Sequence, residues 1–272
     1  MLQSSITDKG IFYYSSAKDE TKTPLILLMG YSGSSDSWTK SFLEQLASSW
    51  PIIALDTRGT GKSTRDISES DLDYPSAADD IADFIKTLGY PKVHLLGYSY
   101  GGTIAMSFMK QYPELCQSLV LVATTLGGAD YVPPPKGVLE RLGNPDGKDL
   151  VEKTECIWKI CLGDDRFPQH KAAMHEVLSS QTLTPRWVLA KHLNNYLTCS
   201  FRDAARESSL PVKVISGDRD PLTPAANSLK IHESFPNSSL TFIDDCCHMP
   251  YLEEPKKFIE LIVHHLEKNN EE

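Results

Sequence analysis

The segment Gly97-Tyr98-Ser99-Tyr100-Gly101 sets a serine between two glycines, directly after the apolar run Val93-His94-Leu95-Leu96. Behind it come Gly102 and then Ile104, Ala105, Phe108, Met109 and Tyr112 at helical spacing. A serine at a sharp turn from a buried strand into a helix is held in strained backbone, with its hydroxyl above the strand end. Side chains in place of the glycines would strike the neighbouring strand and helix. The helix N-terminus also favours negative charge beside the serine. A serine hydroxyl is a poor nucleophile until a base takes its proton and a third group orients that base. Both residue types follow downstream. Asp218 and Asp220 lie in Gly217-Asp218-Arg219-Asp220-Pro221, after the run Val212-Lys213-Val214-Ile215. His248 lies in Cys246-Cys247-His248-Met249-Pro250, after Leu240-Thr241-Phe242-Ile243. Asp130, shortly after Leu119-Val120-Leu121-Val122, is a further candidate acid. Serine, acid and histidine in that order point to acyl transfer.

Groups so far apart in the chain need a scaffold that gathers them. Six short apolar runs, at 25–28, 52–55, 93–96, 119–122, 212–215 and 240–243, are bounded by Gly, Pro, Asp or Ser and fit strands buried on both faces of a parallel sheet. Amphipathic helices alternate with them. Ala77, Ile81, Phe84, Ile85 and Leu88 form one stripe, stopped by Gly89, and Pro113 ends the helix behind Ser99. Phe258, Leu261, Ile262, His265 and Leu266 form another, started by Pro255. This rhythm implies right-handed crossovers, and open α/β sheets place their sites at the carboxyl ends of the strands. The alternation breaks between Gly127 and Ser209, a stretch with helical patterns and no convincing strand, too long for an ordinary crossover. The expected fold is α/β: a mostly parallel sheet of about eight strands flanked by helices, with a helical cap. Residues 1–126 and 210–272 would form the core domain, and 127–209 the cap over the sheet.

Composition narrows the classes. The 272 residues carry 27 Lys and Arg against 36 Asp and Glu, a net charge of −9. No basic block could bind nucleic acid or anchor the chain to an anionic membrane. The first residues lack a signal-peptide core, and no apolar run approaches the roughly 18 residues of a membrane span. A cytoplasmic protein, as a monomer or small homo-oligomer, is the expectation. Cys116, Cys156, Cys161, Cys199, Cys246 and Cys247 show no metal-ligand spacing and read as buried thiols. No metal, nucleotide or flavin site is visible, so no cofactor is expected.

From about residue 10 to 268 the chain resembles the α/β-hydrolase superfamily, of the esterase–lactonase type with a helical cap. The segments that carry the likeness are Leu27-Leu28-Met29-Gly30-Tyr31, Asp56-Thr57-Arg58-Gly59-Thr60-Gly61-Lys62-Ser63, the serine turn, Gly217 to Asp220, and His248 ahead of Glu253-Glu254-Pro255. The resemblance implies Ser99 as nucleophile, His248 as general base and Asp220 as orienting acid, with the backbone N–H groups of Tyr31 and Tyr100 as oxyanion donors. It departs at Met29, where the family often has histidine. Asp220 is preferred over Asp218 and Asp130 because the Gly-x-x-Asp spacing matches. The 56–63 segment reads as a structural turn because it lacks phosphate-loop spacing.

A serine at this turn disfavours dehalogenase and epoxide-hydrolase chemistry. The expected activity is hydrolysis of a carboxylic ester or lactone of small to medium size. The alternatives are the same triad acting on an amide, peptide or C–C bond or in perhydrolysis, and a ligand receptor on a hydrolase fold. Trp158, Phe167, Trp187 and Tyr196 are expected to line part of a covered apolar pocket, with Trp158 and Trp187 setting acyl length. His94 reads as a structural histidine. His170, His175, His192 and His232 read as solvated.

Overall fold

The computed structural model of the protein describes residues 2–270. Eight strands, β1 (Gln3–Ile6), β2 (Phe12–Ser15), β3 (Leu25–Leu28), β4 (Ile52–Leu55), β5 (Val93–Tyr98), β6 (Cys116–Val122), β7 (Val212–Gly217) and β8 (Ser238–Ile243), form one sheet in the order β1-β2-β4-β3-β5-β6-β7-β8. β1 and β2 pair antiparallel at one edge, and β3 to β8 run parallel. The four central strands β3 to β6 are buried along their whole length.

The period-two geometry of strands sorts these residues onto two faces. Ile26, Leu28, Ile53, Leu95 and Leu119 pack against helices α2 (Tyr74–Leu88) and α3 (Tyr100–Gln111), which follow β4 and β5. Leu25, Leu27, Ile52, Leu96 and Val120 pack on the other face with α1 (Lys40–Ala47), which follows β3, and the C-terminal helix. Asp73 caps α2 by accepting from the Ser76 N–H at 2.9 Å, and Gly89 ends it in the left-handed region at φ 74°.

Between β6 and β7 the chain forms five helices: α4 (Val138–Gly143), α5 (Leu150–Leu162), α6 (Phe167–Ser180), α7 (Arg186–Thr198) and α8 (Arg202–Glu207). Their contacts reach the carboxyl ends of the strands. Gln181 donates to the Ser32 carbonyl at 3.0 Å, and the Cys161 carbonyl accepts from the His248 N–H at 3.0 Å. After β7 come α9 (Ala225–Ser234), then β8, α10 (Pro250–Glu253) and α11 (Pro255–Lys268). All six cysteines are free and buried. No helix among the described residues is long and apolar enough to cross a membrane.

Two histidines are buried away from the serine turn, His94 at the opposite end of β5 and His265 on α11. His94 on β5 bonds Ser118 Oγ at 2.7 Å through Nδ1, which makes it structural. His265 on α11 lies near it. Burial, with the neighbouring His265, pushes His94 down to about 3. Burial, with Lys213 and Lys268 nearby, pushes His265 down to about 4. The unfolded chain therefore binds protons at these positions before the folded one does. Stability from this source is full above the ordinary histidine value and falls as pH drops from about 6.5 toward 4, by roughly 2 kcal/mol per histidine at pH 5. The urea midpoint should fall between pH 7 and pH 5, and less so in a His94→Gln/His265→Gln double variant. Equal falls in the two proteins would refute it.

Candidate active site

β5 ends in the serine turn, and the backbone there shows what the glycines are for. Ser99 sits at φ 52°, ψ −117°, a region costly for any residue with a side chain. Neighbouring bonds hold it. The Ser99 N–H donates to the Val122 carbonyl at 2.8 Å, and the Ser99 carbonyl accepts from the Gly102 N–H at 2.9 Å and from Thr124 Oγ1 at 2.7 Å. A Cβ at Gly97 would lie 2.4 Å from the Gly101 carbonyl oxygen, and one at Gly101 would lie 2.2 Å from the Leu28 carbonyl oxygen. Helix α3 and strand β3 can approach the turn this closely only because both positions are glycine.

The Gly30–Tyr31 turn lies directly against the serine, since a Cβ on Gly30 would come within 3.1 Å of Ser99 Cβ. Tyr100 opens α3, where the first N–H groups have no helical partner. Neither the Tyr31 N–H nor the Tyr100 N–H bonds any group of the protein among the described residues. Two uncommitted backbone donors thus flank one strained serine. Asp56 secures the loop behind Gly30: its carboxylate accepts from the Ser35 N–H at 2.6 Å and the Lys62 N–H at 2.8 Å. The 56–63 segment is therefore a structural turn, and burial raises the Asp56 carboxyl above its usual range despite these bonds.

Asp220, in the loop after β7, and His248, in the loop after β8, meet at 2.7 Å, Asp220 Oδ2 to His248 Nδ1. Both side chains are buried. The other carboxylate oxygen, Oδ1, accepts from the Leu222 and Thr223 N–H groups, each at 2.8 Å, so the loop fixes the acid before the acid fixes the imidazole. Tyr98 stands with its ring centroid 5.2 Å from that of His248, which brings the histidine to the serine turn. The rival acids are committed elsewhere. Asp130 pairs with Arg202 and lies 4.0 Å from Lys230, and Asp218 accepts from the Cys246 N–H at 3.3 Å. The hydrogen-bonded Arg202 guanidinium holds the Asp130 carboxyl below the usual carboxylate range.

Glu253, which the sequence marks only as part of the segment after His248, is a site residue. Its carboxylate accepts from the Cys247 N–H at 2.9 Å and the Met249 N–H at 3.1 Å, on either side of His248, and lies 3.6 Å from Arg166 Nη1. Arg166, at the start of α6, also pairs with Asp245. The histidine loop is thus pinned both by its own carboxylate and by the helical insertion. Burial raises the Glu253 carboxyl above its ordinary value. Glu253→Ala would leave two N–H groups of a buried loop unpaired, at about 1–3 kcal/mol each. The variant should melt lower and lose kcat more than it changes KM. An unchanged melting temperature would show that the loop needs no such anchor.

The histidines and aromatics of the insertion depart from expectation in two places. His192, expected to be solvated, is 4% exposed and stacks on Tyr100 with centroids 4.6 Å apart and planes at 23°. Helix α7 turns Val188, His192 and Asn195 inward, so polar residues occupy its buried face. Trp187, expected in a pocket wall, is 42% exposed. Trp158 and Phe167 are buried in the cluster that joins Cys161, Leu162 and Met174 of the insertion to Met29, Tyr98 and Met249 around the serine and histidine loops. Tyr196 packs near Tyr100 and Tyr131. His175 and His232 are exposed and His170 half-buried. Among the described residues, no three His, Cys, Asp or Glu side chains gather as a metal-holding group.

Residues 23–149 match the family model of the alpha/beta hydrolase fold. A poly(3-hydroxyalkanoate) depolymerase of Ectopseudomonas oleovorans is 30% identical over 228 residues, covering 82% of this chain and 77% of its own. A pimeloyl-[acyl-carrier protein] methyl ester esterase of Aeromonas hydrophila is 26% identical over 88% of this chain and 94% of its own. The crystal structure of the esterase RhEst1 from a Rhodococcus species superposes with a TM-score of 0.82 over 99% of both chains at 24% identity, a likeness of fold. The chain belongs to the α/β-hydrolase fold family. The relatives it matches include esterases and other hydrolases, and hydrolase is the class of activity that they support for it.

Proposed function

We propose that the protein hydrolyses a carboxylic ester or lactone of small to medium size through an acyl-enzyme on Ser99, with residues 127–209 as a cap over the site. One observation carries this reading: a strained serine flanked by two unbonded backbone N–H groups, together with a buried His248–Asp220 pair at 2.7 Å. In the first step Ser99 Oγ attacks the substrate carbonyl carbon while His248 Nε2 takes the hydroxyl proton. The Tyr31 and Tyr100 N–H groups receive the oxyanion that forms. Asp220 keeps His248 Nδ1 protonated, so that Nε2 faces the serine as acceptor. As the tetrahedral intermediate collapses, the C–O bond to the leaving group breaks and His248 returns the proton to that oxygen. Water then repeats the sequence on the acyl-enzyme, releasing the acid and regenerating Ser99. The names of the depolymerase and the methyl ester esterase support an ester as the bond cleaved.

A radiolabelled fluorophosphonate and a panel of p-nitrophenyl esters and lactones test the reading together. The label should map to the Ser99 peptide, and kcat/KM should peak at a short or medium acyl chain, because each buried CH₂ contributes about 0.8 kcal/mol only until the chain meets a wall. Label on another residue, or a preference for long-chain triglyceride emulsions, would overturn it.

A further inference from the structure

His192 is a buried imidazole with no hydrogen-bond partner among the described residues. It is 4% exposed, its ring stacks on Tyr100, and neither ring nitrogen bonds a protein group among the described residues. Neither nitrogen is among the fully enclosed polar atoms left without a partner, so both keep access to solvent on the side of the ring away from Tyr100, where water or a bound ligand can bond them.

The position of such a ligand follows from the two neighbours of Ser99. Tyr98, the last residue of β5, and Tyr100, the first of α3, join different halves of the core. His248 lies against Tyr98, and His192 lies against Tyr100. His248 must hand its proton to the leaving oxygen, so the leaving group of a bound ester lies on the Tyr98 side. The acyl part then extends toward Tyr100 and α7. Tyr196, one turn after His192 and near Tyr100, lies on the same side.

Resting on the serine-hydrolase reading, we infer that His192 binds a neutral hydroxyl or oxo group carried on the acyl chain of the substrate. Burial drives the His192 imidazole down to about 4, so at neutral pH the ring carries no charge. It offers one N–H donor and one acceptor nitrogen. That set suits a hydroxyl, which can accept and donate, or a carbonyl oxygen, which accepts. It offers a carboxylate no charge to pair with. A hydroxy- or oxoacyl ester is therefore the substrate class, in place of a plain alkanoyl one.

Methyl 3-hydroxybutyrate and methyl 3-methylbutyrate differ by a hydroxyl against a methyl of similar size, and acid release from each can be followed by titration. The unmodified protein should favour the hydroxy ester in kcat/KM by about tenfold, the gain of one well-made hydrogen bond over an apolar contact. His192→Phe keeps a ring to stack on Tyr100 but removes both nitrogens, and should bring the ratio to about one or invert it. His192→Asn, which keeps a donor and an acceptor, should restore part of the preference. The exposed Trp187→Ala should leave the ratio as it is. A preference for the methyl ester in the unmodified protein would overturn the inference without any variant, and so would a ratio that survives in His192→Phe. If Ser99 takes the fluorophosphonate but neither ester is turned over, the His192 assignment falls while the hydrolase reading stands. If Ser99 takes no label and no ester is cleaved, the hydrolase reading itself has failed.

Discussion

Replacing Ser99 with alanine should lower kcat by roughly 10⁴- to 10⁶-fold, the range for loss of the nucleophile from a serine triad. The change removes one oxygen atom and leaves the turn as it was. Alanine carries the same Cβ, so the strain at φ 52° is the same in both proteins. The bonds that hold the turn use the Ser99 backbone N–H and carbonyl, which the substitution keeps. Melting temperature and circular dichroism should therefore match those of the unmodified protein, while the acyl-enzyme has no atom on which to form. Residual turnover would report the oxyanion donors and binding alone, because the Tyr31 and Tyr100 N–H groups stay in place. A folded Ser99→Ala protein with more than a few per cent of full activity would show that another group attacks the carbonyl.

The positions that sequence could place are those where the backbone itself demands a residue type. The six apolar runs are strands β3 to β8: β3 to β6 are buried along their whole length, which favours Val, Ile and Leu, while β8 at the edge is mostly half-buried and keeps Thr241 and Phe242. Gly97 and Gly101 were legible for a similar reason, since helix and strand leave no room for a Cβ. The two strands without a sequence signal, β1 and β2, pair antiparallel at an edge. β1 is exposed throughout and β2 half-buried, so no apolar run marks them. The burial of His192 is not legible in sequence because its helix buries a polar face: Arg186-Trp187-Val188-Leu189-Ala190-Lys191-His192 sets an aromatic outward and an imidazole inward, the reverse of what hydropathy suggests. In the sequence Glu253 is one letter of a motif. Its work is to receive two N–H groups from a loop six residues long, and that is visible only once the loop is closed. The pairing of Asp220 with His248 needed topology: β7 and β8 are neighbours in the sheet, so the loops at their carboxyl ends face each other.

Asp220→Asn should lower kcat by about 10⁴-fold, the loss that the same change causes in a Ser–His–Asp protease, whereas Asp218→Asn and Asp130→Asn should cost far less. The two oxygens of Asp220 divide their work. Oδ1 takes the Leu222 and Thr223 N–H groups and so fixes the carboxylate, while Oδ2 faces His248 Nδ1 at 2.7 Å. An asparagine would keep its carbonyl oxygen on the two loop N–H groups and turn its NH₂ toward His248. That donor requires Nδ1 to be an acceptor, so the proton moves to Nε2, and the nitrogen facing Ser99 can no longer take the hydroxyl proton. The imidazolium formed during attack would also lose its neighbouring charge. Both effects act on kcat, and the fold should persist because the shape of the side chain is retained. Asp218 has no such role, since its carboxylate accepts from the Cys246 N–H, and it is Asp220 that meets His248. Asp130 is paired with Arg202 and Lys230, so Asp130→Asn should show as a lower melting temperature with kcat nearly intact. The three variants, compared for kcat and melting temperature on one p-nitrophenyl ester, separate these roles. A larger loss of kcat in Asp130→Asn than in Asp220→Asn would move the acid of the triad from the loop after β7 to the loop after β6.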